Sequence, residues 1–136
     1  MVQPVVHDPL FLAVKSDPAG AEDLATAADL ADTLRANREA CVGMAANMIG
    51  RRKCVIAVMN GPILMVMLNP SILRRSGPYE AEEGCLSLPG VRKTTRYDRI
   101  TVSWQDTGMR RHTADFQGFT AQIIQHEMDH LNGILI

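Results

Sequence analysis

His126-Glu127-Met128-Asp129-His130 is the stretch on which the reading of this chain turns. Two histidines four residues apart sit one turn apart on one helix face, so both imidazoles can reach a single cation. The glutamate after the first histidine is not a ligand in such sites; it is placed to take a proton from an attacking water. A metal hydrolase is therefore the first functional class to weigh. The plain alternative is an amphipathic helix carrying two half-buried polar histidines. Phe119, Ile123, His126 and His130 share one face, whereas Ile124, Met128 and Leu131 lie elsewhere. The spacing thus predicts a helix from about Phe119 to Leu131, closed by Asn132-Gly133, apolar on several sides and buried mid-fold. Buried imidazoles need partners, and a metal supplies one.

A hydrolytic metal site usually has three protein ligands and one open position. Gly133 is followed by three residues, none of them a ligand type, so the third ligand is expected upstream. The candidates are His7, His112, Cys41, Cys54 and Cys85. His7 falls in an irregular proline-containing segment and His112 among exposed charges, so both read as surface residues. Cys54 opens the apolar run Cys54-Val55-Ile56-Ala57-Val58-Met59 and reads as a buried strand thiol. Cys41 follows a helix and precedes Val42-Gly43, where packing is the simpler role. Cys85 differs: Gly84 and Pro89-Gly90 flank it, allowing tight turns and close backbone approach. It is the strongest candidate, with core packing as its alternative.

Glu83-Gly84-Cys85-Leu86-Ser87, taken with Gln125-His126-Glu127-Met128-Asp129-His130-Leu131-Asn132-Gly133, resembles the second and third motifs of the peptide deformylase family. Gly43-Met44-Ala45-Ala46-Asn47-Met48 is similar to its first, glycine-rich motif. The three occur in the family order, with Asn69-Pro70 ahead of the second. The resemblance implies a metal-dependent hydrolase that removes the formyl group from amino-terminal formyl-methionine of newly made polypeptides. It implies Cys85, His126 and His130 as ligands of one divalent ion, Glu127 as proton carrier, and the Leu86 N–H as an oxyanion donor. Gly43 then lets the peptide main chain approach, and Val42 borders the methionine pocket or packs in the core. Fe²⁺ is the expected native ion; a mixed sulfur and nitrogen set also suits Zn²⁺, Ni²⁺ or Co²⁺.

The first motif departs from the family pattern where it closes. Met48 stands in place of a glutamine whose amide donates to the developing oxyanion, and a thioether has no donor. One such donor is worth roughly 10²–10³ in rate. A deformylase-like metal protein with weak, altered or no activity is therefore the alternative reading. A zinc endopeptidase with a third ligand other than cysteine is a further one.

The 136 residues are read as one domain, 1–136, with an ordinary 46% of hydrophobic and 21% of charged residues. A net charge of −1 gives no reason to expect direct nucleic-acid binding. Three cysteines cannot all pair, one is wanted as thiolate, and no signal peptide or membrane-length apolar run is evident, so a cytoplasmic location is expected. The ribosome joins the peptide substrate as a candidate partner, although the carboxy-terminal helix through which some family members contact it has no counterpart here. Alanine-rich periodicity predicts a helix over 22–38. Cys54–Met59 and Ile63–Asn69 read as a hairpin around Asn60-Gly61, with Pro62 an irregularity, and Thr101–Gln105 with Arg110–Phe116 as a second. The expected class is α+β: short antiparallel sheets around a central metal-binding helix.

Overall fold

The computed structural model describes residues 1–136. Its elements are α1 (Pro9–Leu12), α2 (Leu24–Ala36), β1 (Gly43–Ala45), β2 (Val55–Asn60), β3 (Ile63–Gly84), β4 (Val91–Gln105), β5 (Arg111–Gln117) and α3 (Gly118–Leu131). The α+β class follows directly. The five strands form one antiparallel sheet in the order β1-β2-β3-β4-β5. The two sequence hairpins are present, but β3 and β4 run much farther than alternation in their sequences suggests. Within β3, β2 pairs only with Ile63–Leu68, and within β4, β5 pairs only with residues 99–105. Beyond these partners β3 and β4 continue as a two-stranded ribbon that ends at Gly84 and Val91. Pro78 and Gly77 are tolerated there because this half of β3 has a ladder on one side only.

Local chemistry sets the turns. Gly61 (φ 60) and Pro62 form a two-residue connection, since Asn60 and Ile63 are still paired. A positive φ at the first corner and the fixed φ of proline at the second are what a type II′ turn requires, so Pro62 fits the hairpin. At Asn69-Pro70 the ladder breaks, and Asn69 takes φ 52. Its side chain accepts from Ala19 N–H and donates to Ala19 O and Gln105 Oε1, each at 2.8 Å. The bulge thereby pins the amino-terminal segment to the sheet.

Helix α2 buries Ala27, Leu30, Ala31 and Leu34 and packs against β1, β2 and β3. Helix α3 touches β1, β2, β4 and β5 and buries eight residues, among them Gln125, His126, Glu127 and His130. The core joins Leu30 and Leu34 to Ile56, Val58, Met67, Leu68, Val102 and Ile124. Met44, Met48 and Met67 fill the space that a chain with few aromatics leaves open. Cys54 is half-buried just ahead of β2 rather than within it, with its thiol near Ser16 O.

The end of α3 is closed by a Schellman arrangement. Gly133 N–H donates to His130 O at 3.1 Å and Ile134 N–H to Asp129 O at 3.0 Å, with Gly133 at φ 75. A Cβ on Gly133 would come within 2.5 Å of Ala13 O, whereas one on Gly61 would meet nothing within 4 Å. Gly133→Ala is therefore expected to lower the unfolding free energy by more than about 2 kcal/mol, against about 1 kcal/mol for Gly61→Ala. Urea denaturation of both variants measures the difference. Equal losses would mean that the backbone contact with Ala13 plays no part.

Candidate active site

The ribbon and α3 meet at a buried carboxylate. Glu83, near the end of β3, receives Arg96 Nε at 3.0 Å and an Arg96 terminal nitrogen at 2.7 Å. It also receives Gln122 Nε2 at 2.9 Å and lies 2.8 Å from His126 Nδ1. Arg96 reaches on to Asp129 Oδ2 at 2.7 Å. Beside this cluster the Gln125 amide mimics a strand partner: Oε1 accepts from Tyr97 N–H at 2.8 Å, and Nε2 donates to Tyr97 O at 2.7 Å. Burial opposes charge on Glu83, but hydrogen bonds from His126, Arg96 and Gln122 outweigh it and hold its carboxyl at about 2. An ionised Glu83 requires a proton on His126 Nδ1, which leaves the other ring nitrogen to face the centre.

That orientation brings the sequence-predicted ligands together. Sγ of Cys85 and a nitrogen of each of His126 and His130 all lie within 4.8 Å of one another. Cys85 Sγ is 3.3 Å from His130 Nε2, which is 3.2 Å from His126 Nε2. Two protons cannot share so short a gap. Burial opposes charge on His126, but Cys85 and Glu83 drive its pKa up to about 10. Burial, then the neighbouring His126 charge, push His130 down to about 3. Asn47 steadies the far histidine by donating to its backbone carbonyl at 2.9 Å.

The donor set fits a divalent metal on chemical grounds. It offers one sulfur and two imidazoles, one of them held neutral, which suits a borderline-soft ion. Sγ of Cys85 and the two Nε2 atoms face one another with too few hydrogens to satisfy all three, and Glu127 Oε1, also buried, has no protein partner. Cysteine completes the cluster, not the different third ligand that the endopeptidase reading needs.

A cleft of about 780 Å³ opens onto this cluster. Its wall includes Val42, Gly43, Cys85, Leu86, Phe119, Gln122, Ile123, His126 and Glu127. Burial raises the Glu127 carboxyl to about 7, with the charge of His126 acting the other way. A Cβ on Gly43 would stand 2.6 Å from Ile123 Cγ2 and 2.9 Å from Glu127 Oε2. The missing side chain thus makes room for Glu127 itself. The Leu86 N–H has no acceptor within the chain. Val42 is partly exposed on the cleft wall.

Met48 lies apart from the cleft wall, almost fully buried, with its sulfur 3.4 Å from Ala45 N–H. Cys41 packs against the core, as its sequence context suggests, and also reaches the cleft wall; it donates to Gly43 O, and burial pushes its thiol up to about 12. His112 is the surface residue expected, paired with Asp106 at 2.7 Å. Gln122 was open to detection, since it precedes His126 by four residues on the same face. Arg96 and its contacts have no local sequence signal.

Residues 5–136 match the sequence family described as Polypeptide deformylase. The chain belongs to the peptide deformylase family. It is 52% identical over 136 residues to a peptide deformylase of Clostridium beijerinckii, covering all of both chains. Solved deformylases share the fold. The class I type b enzyme of Acinetobacter baumannii, in a structure with Met-Ala-Ser bound, superposes with a TM-score of 0.89 at 33% identity, over 99% of this chain and 97% of that one. The Thermotoga maritima peptide deformylase gives 0.88 at 29% identity, over 99% and 95%.

Glu83 is the group on which ligand orientation rests, so Glu83→Gln is expected to weaken Zn²⁺ binding by roughly 10–100-fold. Competition against a chromophoric chelator measures this. Unchanged affinity would show that His126 is aligned by packing alone.

Proposed function

We infer that this deformylase removes the formyl group from the amino-terminal formyl-methionine of newly made polypeptides, with residues 1–136 acting as one catalytic domain. The observation that carries the reading is the convergence of Cys85, His126 and His130 beside a buried glutamate at the floor of an open cleft. Those three residues would hold one divalent ion; Fe²⁺ is the native ion in this reading, and Zn²⁺, Ni²⁺ and Co²⁺ fit the same donors. When bound, the ion supplies Lewis-acid activation of water and polarises the formyl oxygen.

The chain's own residues handle protons and position the substrate. Glu127, with a carboxyl raised to about 7 and one oxygen unpartnered, is suited to accept the proton of the attacking water. The same carboxyl then returns that proton to the amine nitrogen as the formyl carbon–nitrogen bond breaks, giving formate and a free amino terminus. Leu86, whose N–H is unspent, donates to the formyl oxygen as it gains charge. Val42, Leu86 and Ile123 offer the apolar wall that a methionine side chain needs. Gly43 keeps the strand edge low beneath the substrate's main chain.

One observation favours a slower enzyme. Met48 replaces the glutamine expected from the family pattern, and its sulfur is turned to Ala45 N–H. Among the chain's own groups, the Leu86 N–H is then the donor left to the oxyanion.

Location and partners follow by inference. All three cysteines are free, which suits a reducing cytoplasm, and no helix is long and apolar enough to cross a membrane. The nascent chain is the substrate, so the ribosome is the partner next to which the enzyme works, without a nucleic-acid surface of its own.

Anaerobic hydrolysis of formyl-Met-Ala-Ser by iron-loaded protein tests the activity. Glu127→Gln is expected to lower kcat by roughly 10²–10⁴ while the metal content stays at one per chain. A wild-type rate no higher than that of the variant would sink the deformylase reading. Met48→Gln is expected to raise kcat, by up to roughly 10²–10³. No gain would show that this chain manages without a side-chain donor.

A further inference from the structure

His7 has no part in the chemistry above, yet it belongs to the cleft wall. The ring is exposed, as its sequence context predicts, but it is not free to swing. Val6 N–H donates to Met48 O at 2.7 Å, and the Asp8 side chain accepts from Leu10 N–H at 3.0 Å, so the backbone is tied on both sides. His7 Nδ1 lies 2.9 Å from the carbonyl oxygen of Ser87. A carbonyl only accepts, so Nδ1 carries the proton, and Nε2 of the neutral ring is an acceptor. No protein donor uses it.

The place of this acceptor in the cleft defines what it can meet. Cys85, His126 and Glu127 mark the reacting end, where the formyl group must lie. The ring is fastened two residues beyond Cys85, at Ser87, along the same wall. We propose that His7 is a substrate-positioning residue whose Nε2 accepts a hydrogen bond from a main-chain N–H that follows the formyl-methionine. The proposal rests on the deformylase reading. The residue touches no reacting atom, so it acts on binding: it rewards a substrate that continues past its first residue. The protein thereby gains preference for a growing chain over free formyl-methionine, through an imidazole contributed by the amino-terminal segment.

Steady-state kinetics of the cobalt-loaded full chain on formyl-Met-Ala-Ser and on formyl-methionine separate the alternatives. His7→Ala is expected to raise KM for the tripeptide roughly three- to tenfold, the range of one net hydrogen bond, with kcat unchanged. The KM for formyl-methionine, which has no following N–H, stays the same. His7→Gln, whose side-chain oxygen can take the place of Nε2, recovers part of the loss. An equal KM rise on both substrates, or a fall in kcat on both, would mean that His7 only braces the Ser87 segment, and an unaltered tripeptide KM would overturn the contact outright. Calorimetric binding of Met-Ala-Ser to the wild type and to His7→Ala makes the same comparison without turnover. An inactive wild type that still loses tripeptide affinity on His7→Ala would refute the deformylase reading while upholding the contact.

Discussion

One buried carboxylate holds the working parts of this molecule in register. Glu83 carries its charge in the interior because Arg96, Gln122 and His126 all address it. An ion that far from water would be costly if any partner were missing. The satisfied cluster is instead a joint between two elements that the chain makes separately. The β3–β4 ribbon and the loop that follows β3 deliver Glu83, Arg96 and Cys85, and α3 delivers Gln122, His126 and Asp129. The ligand triangle exists only where the two halves are locked together, and the Gln125–Tyr97 pair beside it completes the lock.

The same joint explains how two chemically identical imidazoles come to differ. Burial opposes charge on His126 but is outweighed by hydrogen bonds with Cys85 and Glu83, which drive it towards the protonated form, whereas burial and then the His126 charge drive His130 towards neutrality. A cation between them would take the Nε2 lone pairs that face each other across 3.2 Å. The Cys/His/His donor set supports a divalent metal here, as membership of the deformylase family implies. Glu127 is buried at the cleft for a related reason: Gly43 leaves room for its carboxyl, and burial tunes that carboxyl towards the range of a proton carrier.

Much of this was legible in the chain. The i, i+4 histidines, the all-round apolar helix that bears them and the glycine-flanked Cys85 led to the ligand set, because each signal is local and periodic. The hairpin read at Asn60-Gly61, whose corners fall one residue on at Gly61-Pro62, and the helix stop at Gly133 were equally local. Arg96 was not legible, since a lone arginine in a strand reads as solvated until a partner 13 residues back is brought beside it. His7 was read as surface because exposure was expected of it, correctly, while its hydrogen bond to Ser87 spans 80 residues. Cys41 was read as packing, and it does pack against the core; only its place on the cleft wall went unread, because nothing nearby in sequence announces a cleft. The long β3–β4 ribbon was hidden by its polar, glycine- and proline-containing composition, which lacks the alternation of a half-buried sheet.

By itself, the sequence determined the kinds of atoms available for chemistry and their spacing along single elements, because helical and strand periods are properties of the local backbone. The tertiary structure alone decided which of those atoms face one another across elements: that Glu83 orients His126, that Gly43 shelters Glu127, and that His7 stands on the cleft wall. Those pairings depend on long-range closure and burial, and no repeat along the chain encodes either.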